Sequence, residues 1–597
     1  MRLSRLYTNK PDAFQPINFN TGLNVILGEI RKPENKNRDT HNLGKSTFGR
    51  ILDFCFLLKR DKDFFLFKHP AAFNDFVFYL EIDLETGKYL TIRRSIEEAT
   101  KISFKRHDIP KSDFSSLYEN DWDHWNVPFD RSKELLDGIL NINPAKPYDF
   151  RKVFGYLLRT QDDYGDVFQL KKFQGPHSDW KPYLAHLLGF DSQLIEQHYE
   201  KETSLEELKQ KEKVLGTEVG GSIQDLSKIE GLLLLKQTDL TKKQKFIDGF
   251  DFNSEDKEKI KNLVEQVDIK TNELNSRRYS LTQSKWKIEQ SLQDELIKFS
   301  VSEAQELFKE AKLLFDGQIK KDFEQLISFN KAIASERKEY LLQELQDINA
   351  ELVSIGKESE ALSSERSRAL SYLSNSDSIG KYKILSSELV VLKADVEVLN
   401  HRREAIHKLQ ELRKQIRSVS DEMEVLQTKI EEDVENKNSM PGLFSSIRLY
   451  FNEIIEEVIN RKAVLSVSPN KEGHLEFKAE ILDSAGNATS ADIGHTYRKL
   501  LCIAFDMATI RAYSDKSFPR FIFHDGVLES LDDRKKEKLI SALYSYSNFG
   551  VQQIVTLIDS DLPAEEHMRK NVFNSADIVL NLHDEGTSGR LFKMDSW

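Results

Sequence analysis

Cysteine is nearly absent: of 597 residues only Cys55 and Cys502 are cysteines, and both sit inside apolar runs. Two thiols so placed exclude a disulfide framework and a CxxC metal hook, and they fit a reducing, cytoplasmic setting. Missing too is any apolar run near the roughly 18 residues of a membrane span. The opening "MRLSRLYTNK" lacks the apolar centre of a signal peptide, so no membrane partner is expected. Positive charge is not in excess either. The formal net charge is −12, so any contact with nucleic acid has to come from a local patch. No nuclease constellation and no base-reading element is recognisable. What is plentiful is charge, 31% of residues, beside 37 Phe and 18 Tyr. That mixture suggests compact aromatic-rich parts joined to something long, charged and helical, and it argues against wholesale disorder.

The absence of proline divides the chain. None of the 14 prolines falls within residues 196–435, a block dominated by Glu, Lys, Leu, Gln and Ser. There Leu341, Leu345, Ile348, Leu352, Ile355 and Leu362 follow a 4-3-4-3 spacing, with Ser359 filling one position. Leu385, Leu389, Leu392, Val396 and Leu399 repeat it, as do Leu412, Ile416, Val419, Met423, Leu426 and Ile430 after a slip near Leu409. A 3.5-residue apolar period is the seam of a coiled coil. Asp316-Gly317, a turn dipeptide, lies near the midpoint of the block, and breaks at 246–254 and 374–380 lie at similar distances on either side. The expectation is an antiparallel hairpin with a paired joint, each arm reaching on the order of 180 Å if straight. A hairpin returns the chain to its start, so residues 1–195 and 436–597 should meet in one head. Both flanks have mixed character. "DFVFYLEIDLETGKYLTIRRS" (75–95) reads as a β-hairpin and "AVLSVSPNKEGHLEFKAEIL" (463–482) as strand–turn–strand. "HTYRKLLCIAFDMATIRAY" reads as an amphipathic helix, and "RFIFHD" and "VQQIVTLID" as short buried strands.

Two motifs carry the chemistry. "HNLGKST" (41–47) ends like a phosphate-binding loop, GxxxxGK[ST], but its first glycine position holds Asp39, and Gly28 lies far upstream after the strand "GLNVILGE". At the other end of the chain, "FIFHDGVLESLDDR" is a short apolar strand ending in Asp525, with Asp532 seven residues on behind Leu531. A carboxylate at such a strand end can hold the Mg²⁺ that bridges nucleotide phosphates.

With these motifs at opposite ends of a coiled-coil block, the chain resembles ABC-type ATPases of the SMC/RecN class. Within that class, "HNLGKSTFGRILDFCF" and "HDGVLESLDD" resemble the SMC-like subunits of prokaryotic defence systems, Lamassu-like and ABC-three-component among them. The resemblance implies an α/β ABC-type head formed by the N-terminal lobe (1–195, Walker A) and the C-terminal lobe (436–597, signature-like segment, Walker B and D-loop). A long antiparallel intramolecular coiled coil is inserted between them. It implies ATP and Mg²⁺ as ligands, with Asn42 at a glycine position of the loop and residues 29–41 inserted before it. Gly44, Lys45, Ser46 and Thr47 would cradle the phosphates, Lys45 reaching the β/γ-phosphates and Ser46 the metal. Asp532 corresponds to the D-loop that crosses to a partner head.

Three departures from the class bear on catalysis. The glutamate that usually follows the Walker B aspartate is replaced by Gly526; Glu529 is the nearest carboxylate, and His524 is adjacent. The switch histidine after the next strand is missing, since "QQIVTLIDSD" offers Ile558 or Asp559. The signature is degraded to "DIGHTYRKL", in which Gly494 leads into a helix and Thr496 and Ser490 are the available hydroxyls. Gln161 in "LLRTQDDYGD" is the candidate Q-loop residue that senses Mg²⁺, or an ordinary surface glutamine. Catalytic roles thus fall to Lys45, Asp525 and Glu529, and metal contacts to Ser46, Asp525 and Gln161. Lys209, Lys211 and Lys213 on one arm and Arg402, Arg403, Arg413, Lys414 and Arg417 on the other are basic. They form either a sequence-independent seat for duplex DNA or a solvated coiled-coil face. The resemblance implies a slow ATPase that homodimerises through its heads on ATP, senses or clamps double-stranded DNA, and controls a nuclease-like effector with accessory subunits in a defence complex. A non-hydrolysing nucleotide-gated scaffold and a RecN-like repair ATPase are the competing readings.

Overall fold

Five parallel strands drawn from both ends of the chain make the sheet on which everything else is placed. In the computed structural model these are Leu23–Glu29, Leu158–Arg159, Phe521–His524, Gln552–Ile558 and Ile578–His583. The model describes residues 1–32, 43–173, 175–219, 226–249, 254–294, 317–371, 377–489, 494–563 and 572–595. In chain order the strands are β1 (Arg2–Thr8), β2 (Ile17–Asn18), β3 (Leu23–Glu29), β4 (Val77–Asp83), β5 (Tyr89–Ser95), β6 (Lys101–His107), β7 (His124–Pro128), β8 (Leu158–Arg159), β9 (Ala463–Pro469), β10 (Leu475–Ile481), β11 (Phe521–His524), β12 (Gln552–Ile558) and β13 (Ile578–His583). The parallel sheet runs β13-β3-β12-β11-β8, with Gly28 opposite Ile558 and Phe523 opposite Leu158. Its central strands β3, β12 and β11 are almost entirely buried, as expected where both faces of a parallel sheet are covered, while the edge strand β13 is only partly so.

A second sheet, β2-β1-β4-β5-β6-β7, is antiparallel and includes the hairpin read in 75–95, with Val77 opposite Ser95. The helix α1 (Lys45–Cys55) touches both sheets: Phe48 meets Phe523 of β11 at 5.8 Å between ring centroids, and Phe54 meets Phe78 of β4 at 5.9 Å. Around Phe592 the rings of Phe14, Phe65, Phe73, Phe76 and Phe78 pack edge-on or tilted. Burying a phenylalanine side chain contributes about 1.5–3 kcal/mol, so this cluster is where much of the aromatic content acts. Besides two single-turn helices, Phe65–Lys68 and Pro70–Phe73, the longer helices described in this unit are α2 (Phe129–Leu140), α3 (Phe150–Leu157), α4 (His177–Leu187), α10 (Leu443–Ile459), α11 (His495–Ala512) and α12 (Asp533–Asn548). Helix α11 is not amphipathic: every residue from Lys499 to Ile510 is buried. A helix apolar on one side and covered on all sides carries its few polar groups, Lys499, Asp506 and Thr509, into the interior, where each needs a partner.

The chain divides into two compact units, Met1–Glu202 with Glu422–Trp597, and Thr203–Asp421. The division thus falls several residues inside the 196–435 block on both sides. The second unit is built from α5 (Ser192–Val219), α6 (Leu226–Asp248), α7 (Ser254–Asp294), α8 (Gly317–Ser371) and α9 (Asp377–Ser439), the first and last of which continue into the other unit. Its helices pair antiparallel. Lys236 bonds Asp395 and Lys243 bonds Glu388; farther out, Asp268 meets Arg366 at 3.2 Å and Lys285 meets Asn349 at 2.8 Å. The last two pairs are both centred on residue 317 in sequence. Every seam position named above is buried or half-buried, and Ile406 packs with Ile229 and Leu233. The helix interruptions fall at Asp248/Ser254 and Ser371/Asp377. Asp316 and, within the two breaks, residues 250–253 and 374–376 lie outside the described residues. Among the described residues no helix is long and apolar enough to cross a membrane.

Candidate nucleotide site

In open parallel sheets the crevice at the carboxyl ends of the strands is the usual place for a ligand, and here neighbouring strands each deliver polar side chains to that edge. After β3 the loop leads to Gly44, which has φ +97° and whose absent Cβ would lie 2.7 Å from Leu591. A left-handed backbone against a packed side chain tolerates glycine and little else. Helix α1 then begins at Lys45, whose side chain is buried, 7% exposed, while Ser46 is exposed and Thr47 half-buried. Burial pushes the Lys45 ammonium below the usual lysine range, opposed by the charges of Glu529, Asp525 and Asp561. Asn42 and the inserted segment beyond Lys32 lie outside the described residues. The start of the insertion is held by Asp584, which accepts from the backbone N–H groups of Arg31 and Lys32.

Asp525 follows β11 and is fully buried. The Thr556 hydroxyl of β12 donates to its Oδ1 and accepts from the Gly526 N–H at 2.9 Å, while Asp525 Oδ2 is buried with no hydrogen-bond partner among the described residues. After β12 the buried Asp559 Oδ1 and Asp561 Oδ2 also lack one among the described residues. Burial raises the Asp561 carboxyl above the usual range, opposed by Lys45, Lys536 and Lys499. Buried polar atoms are ordinarily hydrogen-bonded. Orphaned carboxylate oxygens beside a buried lysine therefore fit a site whose cation and phosphates complete it. Asp525 and Ser46 are the residues that would hold Mg²⁺.

Glu529 stands at a place that no motif spacing specifies. Gly526 has φ +64°, and the chain turns back so that a Cβ there would lie 2.7–2.8 Å from the Glu529 carboxyl atoms. The space a side chain at 526 would use is occupied by the carboxylate of 529. Gln161, after β8, donates its amide to both Glu529 oxygens at 2.9 and 3.0 Å. On the other side Lys499 of α11 donates to the Gly526 carbonyl and sits 3.5 Å from Glu529 Oε2. Lys499 is 3% exposed and its ammonium lies 5.2 Å from the Tyr164 ring centre. Burial lowers its proton affinity, opposed first by Glu529.

Behind this layer Asp506 of α11 accepts from Arg159 Nε at 2.6 Å and Nη2 at 2.8 Å, and lies 3.2 Å from His524 Nε2, all three fully buried. Arg159 also donates to the carbonyls of Asp163, Asp166 and Val167 and so shapes the segment that begins at Gln161. His524 belongs to this support and faces Asp506. Gly494 caps α11, and Thr496 Oγ1 lies 3.4 Å from the Ser530 carbonyl; Ser490 lies outside the described residues. Asp532 is exposed and caps α12 by accepting from Lys535 N at 3.1 Å. Lys45, Gln161, Asp525 and Glu529 are thus brought together, whereas Asp532 serves its own helix. Lys499, Thr556, Asp561 and the Arg159–Asp506 pair were not foreseen.

The basic residues of the arms lie in the second unit. Lys209, Lys211, Lys213, Lys414 and Arg417 are exposed, and Arg402 and Arg403 half-buried. Arg413 is half-buried and its guanidinium bonds Glu212 at 2.6 Å across the arms.

A family model described as an uncharacterised protein conserved in bacteria (DUF2326) matches residues 454–596. No curated protein matches the sequence. Among solved structures, the chain is similar to an Smc head domain with a coiled coil and joint from Pyrococcus yayanosii, at 14% identity and TM-score 0.34, over 94% of this chain and 92% of that one. It is also similar to an Smc head domain with an extended coiled coil, bound to the C-terminal domain of ScpA, from Pyrococcus furiosus, at 13% identity and TM-score 0.31, over 94% and 90%. A further SmcHead, bound to the C-winged helix domain of ScpA, aligns over 23% of this chain and 42% of that one at 19% identity and TM-score 0.17. At TM-scores this low the likeness carries no residue roles across.

Proposed function

We propose that this chain is an SMC-like ATPase that binds Mg²⁺-ATP at the edge of its parallel sheet and hydrolyses it slowly. The observation that carries this reading is the convergence of buried Lys45 with buried, partnerless Asp525 Oδ2 on neighbouring parts of that edge. In this reading Lys45 binds the β/γ-phosphates, and the N-terminus of α1 adds backbone N–H groups and a favourable dipole. Asp525 and Ser46 hold Mg²⁺, which when bound offsets phosphate charge. Glu529 accepts a proton from the attacking water as the water oxygen bonds to the γ-phosphorus, and ADP departs with the bridging oxygen. Heads pair around ATP through Gly494, Thr496 and Asp532, engage duplex DNA without sequence preference, and control an effector such as a nuclease in a prokaryotic defence complex.

Gly526 supports a second reading, a scaffold gated by nucleotide without turnover, because no carboxylate directly follows Asp525. Steady-state phosphate release with Mg²⁺-ATP, with and without linear duplex DNA, separates the two. Turnover that Lys45→Ala abolishes is expected. ATP binding with no release in either condition favours the scaffold.

A further inference from the structure

We propose that Lys499 is a positioning residue for hydrolysis: it fixes Glu529 over Gly526 and ties that carboxylate to the helix that begins at Gly494. The inference rests on the ATPase reading and adds to it a residue to which the motifs assign no role.

The geometry is specific. Lys499 lies in the second turn of α11, and its ammonium reaches out of an otherwise apolar interior to the loop after β11. There it donates to the Gly526 carbonyl and lies 3.5 Å from Glu529 Oε2, while the Gln161 amide donates to both Glu529 oxygens. The Tyr164 ring covers the ammonium. A buried lysine without partners is strongly disfavoured, and an apolar residue of the same length would fill the space without that cost. Its presence in the buried part of this helix is therefore best explained by what it holds. What it holds is a carboxylate three residues away from the position where one would follow Asp525 directly, on a loop with two left-handed residues, Gly526 (φ 64°) and Ser530 (φ 65°). Such a loop has many alternatives, and a general base contributes only when held within hydrogen-bond reach of its proton. Two clamps, Gln161 and Lys499, restrict Glu529 where backbone direction alone does not. Because Thr496 of the same helix reaches the Ser530 carbonyl, a shift of α11 at its exposed N-terminus moves the clamp, and with it Glu529.

The test is a double-mutant cycle on the full chain, read by ATP turnover and by binding of a fluorescent ATP analogue. Glu529→Gln is expected to lower kcat by about 10²–10⁴-fold. Lys499→Met should lower kcat by about 10²-fold, with nucleotide affinity changed by less than about threefold. The double variant should be no slower than Glu529→Gln alone, since Lys499 acts through that carboxylate. Multiplying effects would overturn the inference, as would turnover of Lys499→Met within about threefold of wild type. So would a loss confined to nucleotide affinity. Thermal unfolding checks folding; should Lys499→Met fail to fold, Lys499→Gln enters the same cycle. If wild type itself neither binds nor turns over ATP, the ATPase reading fails first. An active wild type with multiplying effects sinks the inference alone.

Discussion

At the scale of single residues, Gly526 decides where the carboxylate nearest to Asp525 stands. Its positive φ and the Glu529 carboxyl packed where a Cβ would go make Gly526→Ala a double fault. We expect it to cost about 1–3 kcal/mol of stability through strain and to lower ATP turnover at least about tenfold, with nucleotide binding retained. Chemical denaturation and phosphate release on one preparation check both. His524 gives a pH signature. Burial lowers its folded pKa, with Asp506 opposing. Above about pH 7 neither state is protonated, so its effect is absent there. As pH falls through about 6.5, the unfolded chain takes up a proton that the folded one refuses, and stability drops. The loss of stability on going from pH 7 to 5.5 should shrink in His524→Gln; equal losses in both proteins would exclude this role. Lys45 and Asp525 are legible in the sequence because their motifs have fixed spacing. Lys499 is not, because a single lysine inside "HTYRKLLCIAF" has no periodic or motif signature and its meaning comes from a loop nearly thirty residues on.

At the scale of elements, the difference between local and distant information is plain. The β4–β5 hairpin and the seam residues of α8 and α9 are written in adjacent positions, with period 2 and period 3.5. The order β13-β3-β12-β11-β8 is not, since β3 pairs with strands more than five hundred residues away. Helix α11 misleads for a related reason: its polar residues mimic an exposed face, yet Asp506 is matched by Arg159 from the other lobe. That pair makes a sharp prediction. Asp506→Asn leaves the Arg159 guanidinium buried and uncompensated, which should cost about 3–5 kcal/mol. The same change should loosen the segment from Gln161, measurable as faster amide exchange there. In the other unit Ile406 is fully buried against Ile229 and Leu233. Ile406→Ala should cost about 2–5 kcal/mol of local stability. Amide exchange should then rise in α6 and α9, while ATP turnover stays within about twofold, because no residue of the candidate site lies in that unit.

At the scale of the whole molecule, the proposed chemistry needs two chains. Lys45, Asp525 and Glu529 come from one head, whereas Gly494, at the exposed start of α11, is proposed to meet the nucleotide of the other. A two-fold interface of that kind contains two equivalent sites, each composite. Lys45→Ala should then be dead through its own loop, and Gly494→Asp dead through the acid it presents to its partner's phosphates. Mixed in equal amounts, half of the dimers contain one of each chain, and each such dimer has one site with an intact lysine facing an intact glycine. Turnover of the mixture should therefore rise from near zero to roughly a quarter of wild type if the sites act independently. Activity that stays at the level of the separate variants would mean that each head works alone, and Gly494 would then be only the cap of its own helix.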